Sequence, residues 1–142
     1  MGKKQRIRAI ALCLLRRGNQ ILVHEGYDSI SQQSFARPLG GGIDFGETSQ
    51  QAVIREIREE LGAAITAVKL LGIVESIFDY EGQPGHELVF VYDGEFVDSS
   101  LYGQEALMVV EGKRQFTAHW RSPEDLQRAG VRLVPEAILN LL

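Results

Sequence analysis

The sequence of 142 residues predicts a single α+β domain, and three observations lead to this prediction. Segments rich in β-branched and aromatic residues, which are typical of strands, recur along the chain. A capped amphipathic helix follows Thr48, and a second helix start follows Ser122. The chain is long enough to bury a core, and no repeat, low-complexity tract or linker divides it. We therefore expect one domain over residues 1–142.

The N-terminal part predicts strands. Residues 8–26 form two apolar runs around Arg17-Gly18-Asn19, where Gly and Asn can adopt the positive φ of a tight turn, so we expect a β-hairpin. A polar loop is expected over residues 27–33. A short extended segment should follow over residues 34–39, because the sequence Arg37-Pro38 disfavours helix.

The central helix has clear start and stop signals. Thr48 with Gln51 three residues later is a capping-box pattern, and Gly62 supplies a C-terminal stop. At about 100° per residue, the apolar residues between these limits share one arc that should face the core. The three glutamates Glu56, Glu59 and Glu60 share a separate arc beside it. The helix therefore carries one acidic cluster.

The C-terminal half predicts further strands and two helices. Residues 67–80 and 86–96 are strand-like around a turn at 81–85, and residues 106–110 and 114–120 predict two more strands around Glu111-Gly112. Ser122-Pro123 places serine as N-cap and proline at the first helical position. A last apolar helix is expected over residues 136–142, after Val134-Pro135.

Composition and charge restrict the function classes. A formal net charge of -4 lacks the basic surface of general nucleic-acid binders, so we expect none of that binding. The single cysteine, Cys13, excludes an internal disulfide framework and lies in an apolar run, which indicates a buried structural thiol. No apolar stretch approaches the roughly 20 residues that span a bilayer. We expect a cytoplasmic protein without membrane attachment.

Taken alone, the acidic cluster is typical of a solvated helix face, since like charges at these spacings repel. The glycines of the segment Gly40-Gly41-Gly42 change the interpretation, because a glycine loop lets phosphates and a metal approach the backbone closely. Mg²⁺ and Mn²⁺ take oxygen ligands, commonly one or two carboxylates with phosphate oxygens and water. The combination suits a metal-bound phosphate chain.

Residues 41–63 resemble the signature of the Nudix hydrolase family: Gly, five residues, Glu, seven residues, Arg-Glu, an aliphatic, any residue, Glu-Glu, any residue, Gly and an aliphatic. The matching positions are Gly41, Glu47, Arg55, Glu56, Ile57, Glu59, Glu60, Gly62 and Ala63. Ala63 is smaller than the usual aliphatic, and Leu39 stands where many members have proline. The resemblance implies an α/β/α sandwich with a mixed sheet between helices.

The resemblance also implies roles for individual residues. The metal ligands would be Glu56, Glu59 and Glu60 with a carbonyl of the Gly40-Gly41 turn, and Mg²⁺, with Mn²⁺ as an alternative, is the implied cofactor. Arg55 would orient the carboxylates through Glu47. A further carboxylate outside the signature often joins as ligand or general base, and Glu111 is the first candidate, ahead of Glu105. The catalytic candidates are thus Glu47, Arg55, Glu59 and Glu111.

The implied reaction is hydrolysis of a diphosphate linkage in a nucleoside diphosphate joined to another group. Residues 27–34, 79–85 and 98–111 are expected to set specificity, with His86-Glu87 at a strand start and the aromatics Phe35, Phe78, Tyr80 and Phe90 as possible substrate contacts. Two alternatives stay open: a nucleotide-binding sensor without turnover, which an intact glutamate set argues against, and an isomerase, for which Cys13 is badly placed. A homodimer is possible.

Overall fold

The computed structural model describes residues 5–142, which form eight strands, two α-helices and two 3₁₀ helices. The strands are β1 (Arg8–Arg17), β2 (Gln20–Asp28), β3 (Gln33–Gly42), β4 (Ile65–Tyr80), β5 (Gln83–Phe96), β6 (Ala106–Glu111), β7 (Arg114–Arg121) and β8 (Val131–Leu133). The helices are α1 (Ser49–Leu61) and α2 (Pro123–Arg128), and the 3₁₀ helices span Ser99–Gly103 and Glu136–Leu141.

The strands form one mixed sheet in the order β4-β5-β1-β3-β2-β7-β6, with β8 beside β3. The β1–β5 and β3–β8 pairs are parallel, and the other pairs are antiparallel. The expected N-terminal hairpin exists only at its turn, where Arg16 and Arg17 pair with β2. Beyond that point β1 lies between β3 and β5, whose long-range pairing local sequence does not encode.

Helices cover both faces of this sheet, which confirms the expected sandwich. Ala52, Val53 and Ile57 of α1 pack on one face. Leu126 of α2 and Ile138 of the last 3₁₀ helix pack on the other face. The side chains of β1 point alternately into the two cores, so this central strand is buried on both faces of the sheet.

The boundaries of α1 match the prediction. The Thr48 side chain accepts a hydrogen bond from the Gln51 amide, the Gln51 side chain accepts one from the Thr48 amide, and Gly62 ends the helix at φ +65°. The thiol of Cys13 is fully buried, as predicted, and burial raises its pKa to about 12, with a smaller contribution from the charge of Asp93.

Several boundaries in the loops differ from the predictions. The loops expected at residues 27–33 and 81–85 are tight turns at residues 29–32 and 81–82, since the strands continue further than their composition indicates. The segment at residues 34–39 is part of the longer β3, Glu111 ends β6 instead of lying in a loop, and the last helix is 3₁₀. Within residues 5–142, no helix has the length and apolarity needed to cross a membrane.

Candidate functional site

The glycine turn brings the end of β3 against the middle of α1. Gly41 is packed so closely that a Cβ atom there would lie 2.6 Å from the carboxyl carbon of Glu56. Glycine is therefore required at this position if the carboxylate is to lie against the backbone. Helix α1, which carries the acidic residues, packs against β3.

Arg55 connects the acidic residues around the turn. Its Nε donates to Glu47 Oε2 at 2.7 Å, and its Nη1 donates to Glu56 Oε1 at 3.0 Å and to Glu59 Oε2 at 3.2 Å. Its Nη2 donates to the Gly42 carbonyl at 3.0 Å and to Glu47 Oε1 at 2.9 Å. The bidentate contact lowers the pKa of Glu47 to about 2 and raises the pKa of Arg55. The structure thus places Arg55 where it fixes Glu47 and Glu56 together.

Glu60 is the anomalous carboxylate of the site. Its exposed fraction is 4%, and its Oε1 has no hydrogen-bond partner among residues 5–142. Burial raises its pKa to about 8, with further contributions from the charges of Glu56 and Glu111, against a hydrogen bond from the Gly40 amide that acts in the opposite direction. Native proteins rarely leave a buried carboxylate oxygen unpartnered, so this group calls for an explanation.

The remaining acidic candidates divide clearly by position. Glu111 is the last residue of β6. Its charge raises the pKa values of both Glu56 and Glu60, although burial is the main cause of both shifts. Glu105 precedes the opposite end of the same strand, roughly 20 Å along it. The Glu59 side chain is 58% exposed and turned toward Arg55. The structure therefore places Glu111 near Glu56 and Glu60, whereas Glu105 lies at the other end of the strand.

The donor set fits a divalent cation. In the part of the chain from residue 5 onward, no group of three or more His, Cys, Asp or Glu side chains is arranged to hold a metal ion. In this arrangement Arg55 donates hydrogen bonds to Glu56 and Glu59. What remains is the unpartnered Glu60 oxygen with the negative charges of Glu56 and Glu111 beside it. Such an incomplete set of oxygens suits Mg²⁺, which keeps several waters and takes substrate phosphate oxygens.

A cleft of about 1000 Å³ opens beside the glycine turn, and Gly40, Gly41 and Glu111 are part of its wall. Of the aromatic residues singled out from the sequence, Phe35, Phe78 and Tyr80 line the cleft. Phe90 instead packs against the core under α1. His86 does not line the cleft, and its Nε2 lies 3.8 Å from a Glu75 carboxylate oxygen.

Two of the three segments expected to set specificity contact each other. The backbone amide of Ser29, in the turn after β2, donates to Glu81 Oε1 at 2.8 Å in the turn after β4. Phe35 and Tyr80, which both line the cleft, meet edge to face with ring centroids 5.7 Å apart. Residues 27–34 and 79–85 therefore lie together at the cleft, and residues 98–111 reach it through Glu111.

Sequence reasoning missed Arg8 and Arg37 on the cleft wall, although it singled out their partner Glu87 at a strand start facing the cleft. Glu87 of β5 is 6% exposed and accepts a hydrogen bond from Arg37 Nη2 at 2.9 Å, while Arg8 Nη1 lies 3.7 Å from its other oxygen. The sequence does contain one signal, because Glu87 occupies an inward position of an alternating strand that continues with Val89 and Val91. A charged residue at such a position requires a partner. His24, which stacks on Phe116 at 4.9 Å, is a further missed residue of the cleft.

Comparisons with known proteins agree with this architecture. The family model described as the NUDIX domain matches residues 4–141. An ADP-ribose pyrophosphatase of Methanocaldococcus jannaschii is 36% identical over 63 residues, a match that covers 44% of this chain and only 37% of the relative.

Solved structures show the same fold. The MutT NUDIX hydrolase from Burkholderia pseudomallei superposes with a TM-score of 0.64 at 27% identity, covering 86% of this chain and 88% of that one. A NUDIX hydrolase from Nitrosomonas europaea superposes with a TM-score of 0.63 at 18% identity, covering 94% and 85%. The family match and the fold similarity extend over nearly the whole chain and include the signature at residues 41–63. The chain therefore belongs to the Nudix hydrolases, a family that generally uses divalent metal ions.

Proposed function

We propose that this protein hydrolyses the diphosphate linkage of a nucleoside diphosphate joined to another group, with Mg²⁺ as cofactor and Mn²⁺ as a substitute. One observation carries the proposal: the buried, unpartnered carboxylate oxygen of Glu60 lies beside Glu56 and Glu111. An oxygen in this environment is stabilised by a cation, and the adjacent cleft is open to a phosphate chain.

The chain's own residues would act as follows. Glu56, Glu59 and Glu60 would hold the cation together with a backbone carbonyl of the Gly40-Gly41 turn. Arg55, fixed by Glu47 through two hydrogen bonds, orients the Glu56 carboxylate and opposes the rise in its pKa that burial causes. When bound, the cation neutralises the diphosphate and lowers the pKa of a coordinated water.

Glu111 is the residue that we assign as general base or outer ligand. Two observations support this assignment: Glu111 borders the cleft, and its charge raises the pKa of Glu60. A general base must lie within hydrogen-bond reach of the water that it deprotonates, directly or through one further water. Glu105, at the far end of β6, does not satisfy that requirement.

The names of the relatives suggest which substrates to test first. One relative is an ADP-ribose pyrophosphatase and another is a MutT hydrolase, but the former match covers a minor part of that protein. ADP-ribose, ordinary and oxidised nucleoside triphosphates, dinucleoside polyphosphates and capped RNA therefore form the panel. The homodimer expected from the family stays a prediction, which analytical ultracentrifugation of the purified protein tests.

The deciding experiment is a turnover screen of this panel with Mg²⁺, Mn²⁺ or EDTA. Diphosphate hydrolysis leaves phosphate monoesters or pyrophosphate, so alkaline phosphatase or pyrophosphatase converts the products to inorganic phosphate for detection. Metal-dependent release from at least one substrate, lost in Glu60→Gln, is the expected result. Tight binding of a nucleotide without turnover of any substrate would instead identify a sensor.

A further inference from the structure

We propose that Arg37 and Arg8, oriented by the buried Glu87, form an anion site on the cleft wall that binds phosphate oxygens of the substrate. The inference rests on the proposed function, since it assigns a place to the diphosphate group. Glu87 is a positioning residue in this arrangement, and the two arginines would contact the ligand directly.

The geometry of this cluster leaves it positively charged. Three neighbouring strands supply its members: Glu87 lies on β5, Arg8 on β1 and Arg37 on β3. Arg8 and Glu87 are register partners in the parallel β1–β5 pair. One carboxylate oxygen faces each guanidinium, at 2.9 Å from Arg37 and 3.7 Å from Arg8. Two cations around one anion carry a net charge of about +1, directed into the cleft that both arginines line.

The two arginines also keep unused donors. A guanidinium has five N–H groups, and among the described residues only Nη2 of Arg37 has a hydrogen-bond partner. The Arg8 side chain is 53% exposed and makes only the longer contact. Arg55 is the opposite case, because all three of its nitrogens donate to protein oxygens. Arg55 is thus committed to the acidic cluster, whereas Arg37 and Arg8 can each accommodate an oxyanion.

The cluster lies within reach of a metal-bound diphosphate. A Cβ atom on Gly42 would be 3.6 Å from Nη2 of Arg8, and one on the preceding Gly41 would be 2.6 Å from the Glu56 carboxyl carbon. Successive residues of a strand point to opposite faces, so the guanidinium and the carboxylate lie on the two sides of β3, and the connection between them is the shared cleft, which Arg8, Arg37 and Gly41 all line. A phosphate chain seated along this turn would meet the cation at the acidic residues and arginine donors at its other end.

A purely structural ion pair is the competing explanation, because Glu87 also ties three strands together. Such a role needs only one partner with satisfied donors and no access to the cleft. The observed cluster has a second arginine, free donors and a position on the cleft wall. These three features favour ligand binding.

The first test uses methylenediphosphonate, a diphosphate that has a methylene bridge and neither base nor sugar, so the result does not depend on substrate identity. Its dissociation constant is measured by titration calorimetry with Mg²⁺. Arg37→Gln should weaken binding about ten- to a hundred-fold, as loss of a charged hydrogen bond does, while Arg37→Lys should retain part of the affinity. Arg128→Gln is the matched control: it removes a guanidinium whose ion pair with Asp125, at 2.8 Å, lies outside the cleft.

The variant Glu87→Gln tests whether Glu87 orients the two arginines or affects anion binding only through its negative charge. Removing a negative charge would strengthen anion binding if charge alone mattered, whereas loss of the oriented arginines should weaken it several-fold. An affinity equal to or above that of wild type would overturn the role of Glu87. If this variant fails to fold in thermal unfolding, Arg8→Gln, which alters a half-exposed side chain, takes its place, with several-fold weaker binding expected and unchanged binding refuting the site.

The outcomes also separate this inference from the proposed function. Wild-type protein that turns over a nucleotide while Arg37→Gln binds methylenediphosphonate as well as wild type would overturn the anion site and leave the hydrolase assignment intact. Wild-type protein that binds no methylenediphosphonate would equally reject the anion site. Absence of turnover across the whole panel would count against the hydrolase assignment itself.

Discussion

Replacing Glu60 by glutamine should make the stability of the metal-free protein less dependent on pH between pH 5 and pH 8. The pKa of Glu60 is about 8 in the folded protein, against an ordinary value of 4.5. Between these values the unfolded chain has lost the proton and the folded chain still holds it. The stabilising contribution of Glu60 is therefore fully present below about pH 4.5 and is lost as the pH rises through about 8.

The size of the effect follows from the same two values. The free energy of unfolding changes by about 1.4 kcal/mol per pH unit while the proton count differs by one. From pH 5 to pH 8 the titration of Glu60 should lower the stability of the wild type by about 3.5 kcal/mol. Glutamine does not titrate, and any cost of burying its amide is the same at both pH values. The stability of the variant relative to wild type should thus rise by that amount.

Urea unfolding in EDTA, followed through Trp120, measures this difference at pH 5, 6, 7 and 8. Glu59→Gln is the control, because its side chain is 58% exposed and its removal should leave the pH profile close to that of wild type. A stability difference between wild type and Glu60→Gln that stays constant from pH 5 to pH 8 would refute the reasoning. Added Mg²⁺ should stabilise the wild type at pH 8 and not the variant, because a ligand stabilises only the state that binds it.

Three other predictions concern the metal site and the general base. Glu111→Gln should lower kcat about 10²- to 10⁴-fold if it is the base, whereas Glu105→Gln should stay within about two-fold; equal losses would refute the assignment. Gly41→Ala should displace the Glu56 carboxylate and raise the Mg²⁺ concentration for half-maximal activity by about ten-fold, with little change in Tm. EDTA should abolish turnover, and either Mg²⁺ or Mn²⁺ should restore it.

Local signals in the sequence predicted local structure well. The capping box at Thr48 and the stop at Gly62 define α1, because each depends on contacts within three or four residues. The order of the sheet is different. The strand that follows β1 in the chain pairs with it at only two residues, while β5, more than sixty residues later, runs parallel to it. Hydrophobic patterning indicates a strand but not its partner.

The same limit applies to the site. Glu56, Glu59 and Glu60 are found from spacing because one helix carries them all. Glu111 was predicted in the right region, and its position at a strand end comes from the pairing of Glu111 with Arg114 around a two-residue turn. The anion cluster has members on β1, β3 and β5, which become neighbours only through the sheet order. Sequence alone offered one sign of it, the charged Glu87 at an inward position.

Two buried carboxylates of the cleft region, Glu87 and Glu60, differ in how their charge is compensated. Glu87 is paired with two arginines, so its own charge is compensated and the surplus on the wall is positive. Glu60 has an oxygen without a partner and two carboxylates nearby, so the surplus at the turn is negative. A metal ion alone would compensate only the negative charge around Glu60, and a phosphate alone would compensate only the positive charge of the two arginines. A metal-bound diphosphate satisfies both, which is why the charge pattern favours that ligand over either component alone.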